Sequence, residues 1–72
     1  MSEDPRLTLA RKKYHAAVRR AYRIPHSAAG DRELRAELGI IGVGGDYPDE
    51  PSRKAGQACR ALAKEIIEAR WG

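Results

Sequence analysis

Pro5-Arg6-Leu7-Thr8-Leu9-Ala10-Arg11-Lys12-Lys13-Tyr14-His15-Ala16-Ala17-Val18-Arg19-Arg20-Ala21-Tyr22-Arg23 is the stretch that decides the fold. At 100° per residue, Leu7, Ala10, Tyr14, Ala17, Val18, Ala21 and Tyr22 fall on one side. Arg6, Lys12, Lys13, Arg19, Arg20 and Arg23 fall on the other, with Leu9 and Ala16 among them and His15 at a border. That is an amphipathic helix. Asp4 suits its N-cap and Pro5 its first position. Ile24 must end it, because a residue before proline is pushed towards extended geometry.

Beyond this helix the pattern weakens. Residues 26–30 read as a connector. Both Ser27 and Asp31 are capping types, and Asp31 is the stronger, giving a short second helix of about residues 31–38 that stops at Gly39. Leu34, Leu38 and Ile41 would face inward, and Asp31 would pair with Arg35 one turn on. Residues 39–50 hold four glycines and a proline and are expected to form a loop, its first half tucked inward by Ile40, Ile41 and Val43. A last helix is expected over about 51–70, capped by Asp49 or a residue near it. Ala55, Ala58, Cys59, Leu62, Ile66 and Ala69 share one face. Ala63, Ile67 and Trp71 form a second stripe at four-residue spacing. The combined arc is wide enough for two neighbours: the first two helices, or the first helix and a second chain. The expected architecture is therefore an all-α, three-helix single domain of residues 1–72.

Size and composition limit what such a domain does. A chain of 72 residues buries only roughly 60% of its unfolded surface and often needs help from a metal, a disulfide or a partner. One cysteine excludes an internal disulfide and fits a reducing compartment. Twelve alanines bury little area, and no Phe is present. Self-association would offset the thin core. No secretory leader and no run near the ~20 apolar residues of a membrane span is visible, so the expected location is cytoplasmic.

Charge points more sharply. Residues 1–30 carry seven basic side chains and two acidic ones; residues 31–72 carry seven and eight, for the overall +4. No acid occurs between Pro5 and Gly30. A helix that merely needs solubility mixes signs to gain one-turn ion pairs. A one-sign face suits phosphates, which arginine grips with a forked pair of donors. The expected nucleic-acid contacts are Arg6, Lys12, Lys13, Arg19, Arg20 and Arg23. A helix-turn-helix fits poorly: helices 2 and 3 are too far apart in sequence, and helix 2 carries Asp31, Glu33 and Glu37. The alternative partner is an acidic protein, or a second copy meeting Ile67 and Trp71.

No enzyme is expected, and no cofactor. Gln57-Ala58-Cys59-Arg60 opens like a caspase nucleophile signature, but Ala61 stands where that pattern has glycine, and Cys59 lies mid-helix among apolar residues. His15, His26 and Cys59 match no zinc spacing. Asp46, Asp49 and Glu50 lack the alternation of a calcium loop. The glycines of 39–45 match neither a dinucleotide nor a P-loop pattern.

Overall fold

The computed structural model describes residues 3–71. They form three helices, α1 (Pro5–Tyr22), α2 (Ala28–Gly42) and α3 (Glu50–Trp71), and no strand.

α1 begins as its sequence requires. The Asp4 carboxylate accepts the Arg6 amide at 2.9 Å, and Pro5 occupies the first turn. Its end is less ordinary. Arg23 takes the left-handed conformation, φ 54° and ψ 43°. Its amide donates to the Arg20 carbonyl at 3.3 Å, and the Ile24 amide reaches back to Arg19 at 3.0 Å. This is a Schellman-type turn, whose left-handed position normally belongs to glycine. Ile24, the next residue, is buried in the core, which anchors the turn.

α2 is longer at both ends than the local sequence suggests. It starts at Ala28, capped by Ser27 and not by Asp31: the Ser27 hydroxyl accepts the Gly30 amide at 3.0 Å. It then runs through Gly39 to Gly42, so the connecting loop spans only 43–49. The reason is tertiary. Leu34, Leu38 and Ile41 fall on one face only if the helix continues, and Ile41 reaches 2% exposure. Burying an isoleucine contributes about 2 kcal/mol, which offsets the roughly 1 kcal/mol that each of Gly39 and Gly42 costs in a helix. The stop comes at Gly44, φ 103°, where the Gly44 and Gly45 amides close a second Schellman-type turn onto Ile41 and Ile40.

α3 is capped by Asp49, whose carboxylate accepts the Ser52 amide at 2.9 Å. It lies antiparallel to α1. Leu7, Ala63 and Ile66 line one groove at one end. At the other, the rings of Tyr14 and Tyr47 meet edge-on with centroids 6.2 Å apart. Tyr47 lies directly over Gly56: a Cβ there would stand 2.6 Å from the ring.

The core is one cluster, Val18, Ile24, Leu34 and Ile41, flanked by Tyr14, Leu38 and Tyr47. It fills the junction of α1, α2 and the 43–49 loop. α2 packs on α1 alone; α2 and α3 do not pack against each other. The Arg60 guanidinium spans that gap, its Nη2 donating to the Ile41 carbonyl at 3.4 Å. The wide apolar arc of α3 is thus met in part by α1 and Tyr47, not by two helices, and its Ile67 and Trp71 edge stays exposed. The radius of gyration is 13.0 Å, against about 11 Å for a compact chain of this length. No helix of the described residues is long and apolar enough to cross a membrane.

Candidate functional site

The cations of α1 do not form one surface. Four of the six expected contacts, Lys12, Arg19, Arg20 and Arg23, line a single groove of about 650 Å³. His15 and His26 line it too, with Ala16, Ile24 and Leu34. The groove follows from the turn at Arg23. That turn folds the chain back, brings Pro25 and His26 beside α1, and sets α2 against its C-terminal half. Ile24 and Leu34 belong to the buried core, so the groove has an apolar floor and basic walls. No acidic side chain lines it.

Arg19 is built into the groove rather than dangling over it. Its guanidinium donates to the Pro25 carbonyl at 2.6 Å and to the Asp31 carboxylate at 2.9 Å, and the side chain is 15% exposed. Asp31 therefore pairs across helices with Arg19, and not with Arg35 along its own helix. The two bonds hold the last turn of α1 to the first turn of α2. They also fix the plane of the guanidinium, which sequence periodicity does not reveal. Lys12, Arg20 and Arg23 are exposed and make no hydrogen bond or ion pair through their side chains among the described residues.

Arg6 and Lys13 lie elsewhere. They flank a separate, smaller groove between α1 and α3 with Leu9, Ala10, Ala55 and Ala58. Arg6 is also engaged locally, Nη2 to Asp4 at 3.0 Å, and Arg11 pairs with Glu3 at 2.6 Å. Both halves of the basic face are therefore partly neutralised, the first by Asp4 and Glu3 and the second by Asp31 on Arg19, while Lys12, Arg20 and Arg23 pair with no acid among the described residues.

The two histidines were not among the expected contacts. His15 sits at the border of the helical face, and partial burial pushes its imidazole below the ordinary value, helped by Arg11 and Arg19. His26 lies in a connector with no periodicity to announce it. Its neighbour Pro25, which ends α1 and turns the chain, is the nearest thing to a signal.

Among the described residues, His, Cys, Asp and Glu side chains form no group of three that would hold a metal ion. Cys59 is a free thiol, half-buried on α3. Ile67 and Trp71 are strongly exposed, at 58% and 82%. Ile67 borders a further groove with Pro5, Leu7, Ala63 and Ile66, where the start of α1 meets the end of α3.

No family model matches the chain, and neither a curated protein nor a solved structure matches it.

Proposed function

We propose that this chain is a non-enzymatic nucleic-acid-binding accessory or regulatory protein that meets phosphates through the C-terminal half of α1. The observation that carries the reading is the gathering of Lys12, Arg19, Arg20 and Arg23 with two imidazoles around one groove that no acid lines. A solvated helix face that serves only solubility has no reason to lack acid or to be concave. Lys12, Arg20 and Arg23 supply the mobile cations. Arg19 supplies a fixed one.

Titration of a fluorescent oligonucleotide tests it. Three phosphate contacts give a slope of log affinity against log salt of about −2 to −3. Changing Lys12, Arg20 and Arg23 together to alanine removes most of that slope and most of the binding, with helicity retained. Unchanged affinity in the triple variant sinks the reading. Arg19 is kept out of this test, because its bonds to Pro25 and Asp31 tie its loss to folding.

A second reading rests on a different observation. Trp71 at 82% exposure and Ile67 at 58% continue the stripe of Ala63 along α3. Large apolar side chains exposed together mark protein contacts. Under this reading the chain is a small interaction module, docking on another protein or on its own copy through the end of α3. Sedimentation across a wide concentration range, with Trp71→Ala alongside, separates the two. Self-association abolished by Trp71→Ala supports a module; a monomer at every concentration removes self-docking.

A further inference from the structure

We infer that the basic groove is a seat for an unpaired nucleotide, with a base or sugar on its floor and phosphates on its rim, and hence that its nucleic acid is single-stranded. The inference rests on the nucleic-acid reading above and narrows it.

Three observations carry it. The first is the groove's mixed lining. A surface that only neutralises a duplex backbone needs cations and no hollow, since duplex phosphates run along the outside of a cylinder. Here the floor is Ala16, Ile24 and Leu34, and the cations Lys12, Arg20 and Arg23 stand around it. An apolar floor gains nothing from phosphate and does gain from the face of a base. The second is size. About 650 Å³ lies within the range of pockets that take small organic ligands and admits a nucleotide unit. The third is Arg19. Its fork is held by the Pro25 carbonyl at 2.6 Å and by Asp31 at 2.9 Å, while the side chain still lines the groove. A guanidinium fixed by its edges is held in one plane, and bases splayed from single strands stack on such planes and on imidazoles. His15 and His26 border the same space. Arg19 thus positions a base, while Lys12, Arg20 and Arg23 hold the phosphates on either side.

The probes are a fluorescent single-stranded oligonucleotide, a duplex of the same sequence, an abasic strand of the same length, and inorganic polyphosphate of matched charge. The expected result is single-strand affinity roughly tenfold or more above that of the abasic strand, since each stacked base contributes on that scale. Duplex and polyphosphate bind at the abasic level. Ala16→Leu, a substitution on an exposed helical position that fills the floor, brings the normal strand down to the abasic level. Arg19→Lys keeps the charge, removes the plane, and lowers the single-strand preference. If Arg19→Lys fails to fold, Ala16→Leu alone decides. Equal binding of abasic and normal strands overturns the inference and leaves phosphate binding standing. Loss of all binding, polyphosphate included, overturns both.

Discussion

Arg19 of α1 and Asp31 of α2 are joined at 2.9 Å, and the same guanidinium reaches the Pro25 carbonyl at 2.6 Å. One side chain therefore closes the α1–α2 corner from within. Arg20, its neighbour, is exposed and makes no such bond. The pair separates stability from binding. Arg19→Ala is expected to cost about 1–2 kcal/mol, because hydrogen bonds from a charged donor are at stake while the half-exposed Asp31 is screened by water. Arg20→Ala is expected to stay within about 0.5 kcal/mol of the parent. Thermal unfolding followed by circular dichroism reads the difference at roughly 4–8 °C per kcal/mol. Equal melting temperatures for the two variants would show that the corner bonds contribute nothing.

Arg23 offers the reverse combination. It occupies a left-handed position, φ 54°, that glycine adopts without strain. Arg23→Gly is expected to stabilise the fold by about 0.5–1 kcal/mol, once the added freedom of the unfolded chain is set against the strain relieved. The same change removes a groove cation and is expected to weaken nucleic-acid binding. Opposite signs in a melting curve and a binding curve are the expected outcome. A less stable variant would mean that the arginine side chain holds the turn.

Two glycines of α2 are expected to respond in opposite directions. A Cβ on Gly30 would overlap the Pro25 carbonyl oxygen and stand 2.9 Å from its carbon. Backbone cannot yield cheaply, so Gly30→Ala is expected to cost about 1–3 kcal/mol. Gly39 lies inside the same helix with nothing within 4 Å of its Cβ position. Gly39→Ala is expected to stabilise by about 0.5–1 kcal/mol. Urea denaturation of the pair checks this. A destabilised Gly39→Ala would argue that α2 does not run through that residue.

His15 ties stability to pH. Burial, then Arg11 and Arg19, lower its folded-state pKa below the ordinary value of 6.5. The folded protein therefore prefers the neutral ring. The stabilisation is complete above about pH 6.5 and is lost as pH falls through the lower folded value. His15→Gln is expected to flatten the stability profile between that value and about pH 6.5. An identical profile for parent and variant would assign the acid loss to other groups.

How much of this was legible in the sequence differs by element. α1 was readable because its evidence is local: a cap, a proline at the first position, a 3.6-residue rhythm and a second proline past its end. α2 was readable in its middle only. Gly39 and Gly42 favour a loop by local preference, and what overrides them is the burial of Ile41 in the core cluster. Ser27 and Asp31 are both good caps, and the choice depends on Gly30 packing against Pro25, a contact without a sequence signature. The exposed end of α3 was visible as a stripe, because Ile67 and Trp71 repeat at one-turn spacing. The charge of the candidate site was legible; its division was not. Arg6 and Lys13 part from Lys12, Arg20 and Arg23 because α3 docks against one flank of α1 and the Pro25–Ser27 turn closes on the other. His26 joins the groove through that turn alone.

α1 is the only helix on which both others pack. Anything seated between Arg20 and His26 grips α1 together with the corner that carries α2. Occupancy and folding are therefore thermodynamically linked: a ligand at a hundred times its dissociation constant adds about 2.7 kcal/mol to stability. For a domain with so thin a core, that is a substantial share of all the stability it has. Such a chain would be longest-lived where its ligand is abundant and most open to proteolysis where it is scarce, so that the level of the protein follows the level of what it binds.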